Sequence, residues 1–343
     1  MNRTSAEDDS SADSTVDEPV SWGFVECAVP GGLLSLVITW ELTRPRSARD
    51  TLDARIVTCV AFVAVVAYLL ARVRRAALEL DEVRAVARAA QETLIRPLPS
   101  RLDGLALAAR QISFSRSADV GGDLYEALVT AHGVRVVIGD VRGHGLPAIG
   151  AVAAVLGSFR EAAHDESGLD GVLRRLDRAH QRHLRQRPAQ GDQEHDALTA
   201  EEFVTVLLLE IGVDAEVRAL NCGHPWPYRL GRDIAPLAAG EPLPPLGAVP
   251  LPTELLPQPC GPLLPGETLV LHTDGTEDAR DTEGRFFGLR DALAVAALAQ
   301  PPPTPATVVR EVHAALLHHT GGRVTDDMAL LVLRNDRALA GPG

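Results

Sequence analysis

Asp123, Asp140, Asp274 and the adjacent pair Asp326 and Asp327 stand at the edges of four short motifs: VGGDLY, GDVRGHG, TDG and TDDM. Three of these motifs abut apolar runs of strand character, at residues 134–138, 268–271 and 328–333. Strand ends can gather carboxylates from distant parts of a chain onto one edge of a sheet. Oxygen donors of this kind suit hard divalent ions such as Mg2+ and Mn2+, and paired ions activate water for attack on phosphorus. Any one of these aspartates alone would be read as a turn residue, because Asp and Gly bend the chain locally. The set reads differently. Four or five carboxylates brought together without a cation repel one another, and some would be forced to hold protons.

Other reactive side chains are fewer. His144 lies four residues after Asp140. An ordinary histidine pKa of about 6.5 suits a general acid, and a tight turn equally suits a structural histidine. Cys222 and His224 share the motif NCGHP, but two ligands are too few for a zinc site, so the motif reads as a packing turn near the floor of the site. Cys27, Cys59 and Cys260 are scattered, with no CxxC spacing, which places the catalytic part in a reduced cytosolic compartment.

Bringing the acidic motifs together requires a scaffold of strands and helices. Residues 203–211 and 217–221 read as strands joined by the turn Gly212-Val213-Asp214. Residues 146–163, 169–187 and 308–319 read as helices, 188–199 as a surface loop, and the Pro-rich stretch 236–265 as mostly irregular. Strands and helices come in runs without regular βαβ units, which fits a layered α+β fold.

The part before this scaffold has its own character. Residues 1–20 carry six acidic side chains against Arg3 alone and predict a disordered tail. Residues 21–71 hold two apolar segments, at 22–40 and 56–71, which predict two transmembrane helices. The second segment is uncharged and flanked by arginines; the first is interrupted by Glu26 and Pro30-Gly31-Gly32. Arginines lie in both the connecting loop and the following flank, so the positive-inside rule does not fix the orientation. Residues 72–96 form a helical linker. Val73, Leu80, Ala87 and Leu94 fall at one heptad core position, and Ala76, Val83 and Ala90 at the other. This pattern predicts a homodimeric coiled coil through residues 73–94, or else a single amphipathic helix packed on its own catalytic domain. Pro97 and Pro99 end it. Residues 97–336 remain for the catalytic domain and 337–343 for a short disordered tail. A formal charge of −13 excludes nucleic acid as the main partner, since phosphate backbones call for a basic face.

The ordered series VGGDLY, GDVRGHG, EEFVTVLLLEI, NCGHP, LPPLG, LVLHTDG and DDMALLVL, over residues 94–334, resembles the SpoIIE-type branch of the metal-dependent PPM protein phosphatases. The resemblance implies a four-layer α–β–β–α sandwich. It implies two Mn2+ or Mg2+ ions, with Asp140 bridging them and the Val141 carbonyl binding one. Asp123 would be the acid of the first motif, and Asp274 with Asp326 would complete the second metal, Asp327 being the alternative to Asp326. The implied substrate is a phosphoserine or phosphothreonine on a signalling protein of the anti-sigma-factor-antagonist type. The implied setting is a bacterial cell membrane with the catalytic domain in the cytoplasm. The competing expectation is a catalytically silent phosphatase-like binding module.

Overall fold

The computed structural model describes residues 39, 51–112, 121–143, 146–186, 203–238, 240–297, 302–322 and 327–337. Two compact units divide the chain, Met1–Leu80 and Asp81–Gly343.

In the first unit the described backbone is one helix, α1 (Thr51–Leu94), which continues into the second unit over a total of 44 residues. The helix covers both the second apolar segment and the heptads of residues 73–94. Val57, Val60, Phe62, Val63, Leu69 and Leu70 are exposed on it, and so is Val73, the first heptad position. Among the described residues no helix is long and apolar enough to cross a membrane, so the expected spans are not supported there. The first apolar segment, except for Thr39, lies outside the described residues, as do the tail 1–20 and residues 338–343.

The second unit is built on two antiparallel sheets. The first has six strands in the order β1–β2–β11–β10–β7–β8. These are β1 (Arg101–Leu102), β2 (Leu105–Ile112), β7 (Tyr228–Leu230), β8 (Ile234–Pro236), β10 (Thr268–His272) and β11 (Met328–Asn335). The second has five in the order β3–β4–β5–β6–β9. These are β3 (Asp123–Thr130), β4 (Gly133–Val141), β5 (Val204–Ile211), β6 (Glu216–Cys222) and β9 (Gln258–Pro262). Helices α2 (Leu146–Asp165) and α3 (Leu169–Gln186) cover the five-stranded sheet. Helices α5 (Leu289–Ala297) and α6 (Pro305–His319) cover the six-stranded one, and the short α4 (Gly275–Asp278) follows β10.

Side-chain alternation shows why this is a four-layer sandwich. Along β10, Leu269 and Leu271 enter the core between the sheets, while Val270 enters the core beneath α5 and α6. Along β11, Ala329, Leu331 and Leu333 face the first core and Met328, Leu330 and Val332 the second. A strand buried on both faces needs apolar residues at every position, which is why these segments read as unbroken apolar runs. β4 is likewise buried on both faces, with Val134, Val136, Val137 and Ile138 all buried and Arg135 the one charged exception among them.

Buried polar groups lock the helical layer to the sheet. Arg135 on β4 is fully buried and donates to Glu210 Oε2 at 2.7 and 2.9 Å. It also reaches the carbonyls of Ala163, Glu166 and Ser167, which close α2 and lead into α3. The last turn of α1 is held in the same unit. Ala90 and Leu94 pack on Ile149 of α2, Gln91 Nε2 donates to the Gly121 carbonyl at 3.2 Å, and Arg160 donates to the Leu94 carbonyl at 2.6 Å. That end of the linker thus packs on its own catalytic domain, the second of the two sequence readings. Arg337, expected in the tail, is ordered by bonds to Asp103 and to the Gly212 carbonyl.

Candidate metal centre

All four acidic motifs meet at one end of the two sheets. Asp123 opens β3 and Asp140 nearly closes β4, and the antiparallel register sets them directly opposite each other. Asp274 follows β10, and Asp327 immediately precedes β11, the neighbouring strand. One pair of strands from each sheet therefore delivers its carboxylates to the same edge.

Like charges directly opposite on adjacent strands destabilise a sheet, and here the cost is compounded by burial. Asp123 is 1 % exposed. Desolvation, followed by the charges of Asp140 and Asp327, raises its carboxyl well above the usual range; the Thr273 hydroxyl opposes this and Asp274 adds to it. All four carboxylates thus share one electrostatic neighbourhood. A divalent cation is the charge that such a neighbourhood lacks.

The backbone is shaped for close approach at this point. A β-carbon on Gly122 would collide with the Val141 carbonyl oxygen and come within 2.8 Å of Asp140 Oδ1. One on Gly121 would run into the Asp327 carboxylate. The two glycines of VGGD leave a cradle lined by Asp140, the Val141 carbonyl and Asp327, all oxygen donors. The donor chemistry fits Mg2+ or Mn2+. Among the described residues, however, no group of three or more His, Cys, Asp or Glu side chains forms a ready metal-holding cluster. Asp274 Oδ1 accepts from the Gly275 amide at 2.8 Å and caps α4.

Thr273 was not singled out by sequence, though it lies within the TDG motif. Its hydroxyl donates to Asp123 Oδ2 at 3.2 Å and accepts from the Ala329 amide at 2.8 Å, linking the two sheets at the site. Thr205 was missed altogether: its hydroxyl touches the Asp140 main chain and His224 Nδ1. A threonine in a strand gives no sequence signal, because it is an ordinary β-former. Asp326 and His144 lie outside the described residues. The Cys222–His224 motif is buried as expected, and the Cys222 thiol is pushed up to about 12, first by burial and then by Asp177. His272 is buried as well and stacks on Tyr228 with ring centroids 5.8 Å apart. Arg142, next to the Val141 carbonyl, lies over the Phe203 ring at 5.1 Å.

Comparison with known proteins adds three findings. The family model for stage II sporulation protein E (SpoIIE) matches residues 130–336, more than half of the chain. No curated protein matches it. Solved structures share the fold. The SiaA PP2C domain of Pseudomonas aeruginosa aligns at 20 % identity and TM-score 0.55, over 77 % of this chain and 98 % of that one. The RsbU and RsbW domains of Rv1364c from Mycobacterium tuberculosis align at 21 % and 0.52, over 67 % of this chain and 61 % of that one. The PP2C domain and regulatory fragment of SpoIIE from Bacillus subtilis align at 14 % and 0.50, over 67 % and 62 %. This chain therefore spans less than two thirds of two of these proteins.

Proposed function

The chain belongs to the SpoIIE family, and from that premise we propose that it hydrolyses phosphoserine or phosphothreonine on a signalling protein as a metal-dependent phosphatase. The observation that carries this reading is the buried Asp123 set opposite Asp140 across the glycine cradle. Two Mn2+ or Mg2+ ions, when bound, would supply a water of lowered pKa and positive charge at the phosphoryl oxygens.

In this reading Asp140 is the shared ligand, and Asp123, Asp274, Asp327 and the Val141 carbonyl complete the donor set. Asp326, to which Asp327 is the alternative in sequence, lies outside the described residues, and Asp327 takes the place here. Thr273 orients Asp123 through its 3.2 Å hydrogen bond, leaving the second carboxylate oxygen for the ion. Gly121 and Gly122 keep side-chain bulk out of the cradle. His144 is the proposed general acid for the leaving alkoxide.

The proposed substrate is a phosphorylated protein of the anti-sigma-factor-antagonist type. Family membership supports this, as does the neighbour in which an RsbU domain accompanies an RsbW domain. The same reading places the chain at the bacterial cell membrane, with its catalytic domain in the cytoplasm. That placement rests on the arginine-flanked apolar composition of 56–71, not on a described spanning helix, and pairing of two chains rests on the heptad positions before Ala90. The lack of a ready cluster among the described residues favours a second reading, a catalytically silent phosphoprotein-binding module.

Hydrolysis of para-nitrophenyl phosphate by the full chain separates the two. The phosphatase reading expects Mn2+-dependent turnover that Asp140→Ala abolishes, with phosphopeptides preferred over small phosphoesters. A folded, Mn2+-loaded chain without turnover would establish the silent module.

A further inference from the structure

Asp140 is positioned from behind by a polar chain that the ligand set does not include. Thr205 lies directly opposite it on β5. The Asp140 amide donates to Thr205 Oγ1 at 3.3 Å, and the Asp140 carbonyl lies 3.4 Å from the same hydroxyl. On its other side Thr205 Oγ1 is 3.0 Å from His224 Nδ1. His224 is itself clamped. Its amide donates to Asn221 Oδ1 at 2.8 Å, and Asn221 Nδ2 donates back to the His224 carbonyl at 2.8 Å. Thr205 and Asp140 are half-buried and Asn221 and His224 are buried, so this chain runs from the site inward.

We propose that Thr205 and His224 are positioning residues that fix the Asp140 main chain, and with it the Val141 carbonyl, for the divalent-ion site. The inference rests on the reading of that site as metal-binding.

The proton inventory gives the chain a direction. A hydroxyl has one proton to donate and lone pairs to accept with. Thr205 accepts from the Asp140 amide, so its proton is left for His224 Nδ1 or the Asp140 carbonyl. Burial, followed by the charge of neighbouring His272, lowers His224 to about 3, and the His272 main chain partly opposes this. Burial thus favours the neutral ring, whose Nδ1 accepts when the ring proton sits on Nε2. In that tautomer the Thr205 hydroxyl donates its hydrogen bond to His224 Nδ1 and accepts from the Asp140 amide. The NCGHP motif has a task in this arrangement: Asn221 fixes the backbone at His224, and His224 fixes Thr205. Groups that hold metal ligands from behind commonly alter metal affinity by about 10–100-fold when removed.

The bland alternative is that Thr205 and His224 merely fill the floor beneath β4 and β5. Calorimetric Mn2+ binding to the full chain decides between them, with the thermal midpoint in EDTA measured alongside. Thr205→Val keeps the shape and removes the hydroxyl, Thr205→Ser keeps the hydroxyl, and His224→Phe removes the acceptor. The proposal expects Mn2+ affinity to fall about 10–100-fold in Thr205→Val and His224→Phe, and to stay near wild type in Thr205→Ser. It expects the double variant Thr205→Val/His224→Phe to lose no more than the worse single, because the two act as one unit. Unchanged affinity in Thr205→Val, or equal loss in Thr205→Ser, overturns it. If Thr205→Val fails to fold, His224→Phe carries the same test. A wild-type chain that binds Mn2+ but hydrolyses no phosphoester defeats the phosphatase reading alone, whereas undisturbed binding in Thr205→Val defeats this inference alone.

Discussion

Asp123→Asn should stabilise the metal-free protein and destabilise the metal-loaded one. Asp123 is buried and faces Asp140 across the strand pair, with Asp327 and Asp274 adding to the repulsion. Opposed side chains on adjacent antiparallel strands sit about 5 Å apart. Two carboxylates at that distance repel by about 3 kcal/mol at an effective dielectric constant of about 20. Proton uptake by Asp123 relieves part of this, so asparagine should gain about 1–3 kcal/mol in EDTA at neutral pH. Asparagine also keeps an acceptor for the Thr273 hydroxyl. The pH dependence has a definite sign. Because the folded carboxyl is raised, its penalty is absent below the unfolded carboxyl pKa of about 4 and grows as pH rises through the folded value. The advantage of the variant should therefore vanish in acid and grow as pH rises. With Mn2+ the order reverses: a ligand at 100 times its Kd stabilises by about 2.7 kcal/mol, and the variant, short of one ligand, forfeits much of that. Urea denaturation of both proteins, in EDTA and in Mn2+, reads all four values. A variant less stable than wild type in EDTA would refute the electrostatic account.

Other expectations follow from single contacts. Glu210→Leu leaves the fully buried Arg135 without its countercharge and should cost about 3–5 kcal/mol, a fall of about 10 °C in Tm; a loss below about 1 kcal/mol in urea denaturation would contradict the assigned role. Gly122→Ala drives a β-carbon against the Val141 carbonyl and should weaken Mn2+ binding at least about 10-fold while leaving the far-ultraviolet circular dichroism unchanged; calorimetry showing wild-type affinity would refute the cradle. Cys222, buried with its thiol raised to about 12, should resist iodoacetamide in the native protein at pH 8 and react in urea, as followed by peptide mass spectrometry. Native labelling as fast as in urea would show the NCGHP floor to be open.

How much of this was legible in sequence depended on the environment of each segment. β10 and β11 stood out because burial on both faces demands unbroken apolar runs, and β4 because its run is broken only by Arg135, so the motifs attached to them could be placed at strand ends. β9 was hidden inside the Pro-rich stretch 236–265, because Pro259 and Pro262 argue against a strand. It is the edge of its sheet, where missing amide donors are tolerated. The hairpin of β7 and β8 escaped notice because three-residue strands carry too little pattern. At the site, the carboxylates announced themselves by charge beside glycine. Thr205 and Thr273 did not, since their role depends on cross-strand and cross-sheet neighbours. Sequence left both Asp326 and Asp327 open; of the two, only Asp327 is described, with its carboxylate against Gly121. The helical character of residues 73–94 was legible from their heptads, and α1 runs through Arg72 unbroken.

The central claim is that the carboxylates of β3, β4, β10 and β11 together hold divalent ions. Anomalous diffraction from crystals of the chain grown with Mn2+ tests it most directly. The account predicts manganese peaks about 2.0–2.2 Å from oxygens of Asp140 and the Val141 carbonyl, with Asp123, Asp274 and Asp327 completing the shell directly or through water. Manganese located elsewhere, or no peak at this edge of the sheets at saturating Mn2+, would contradict it.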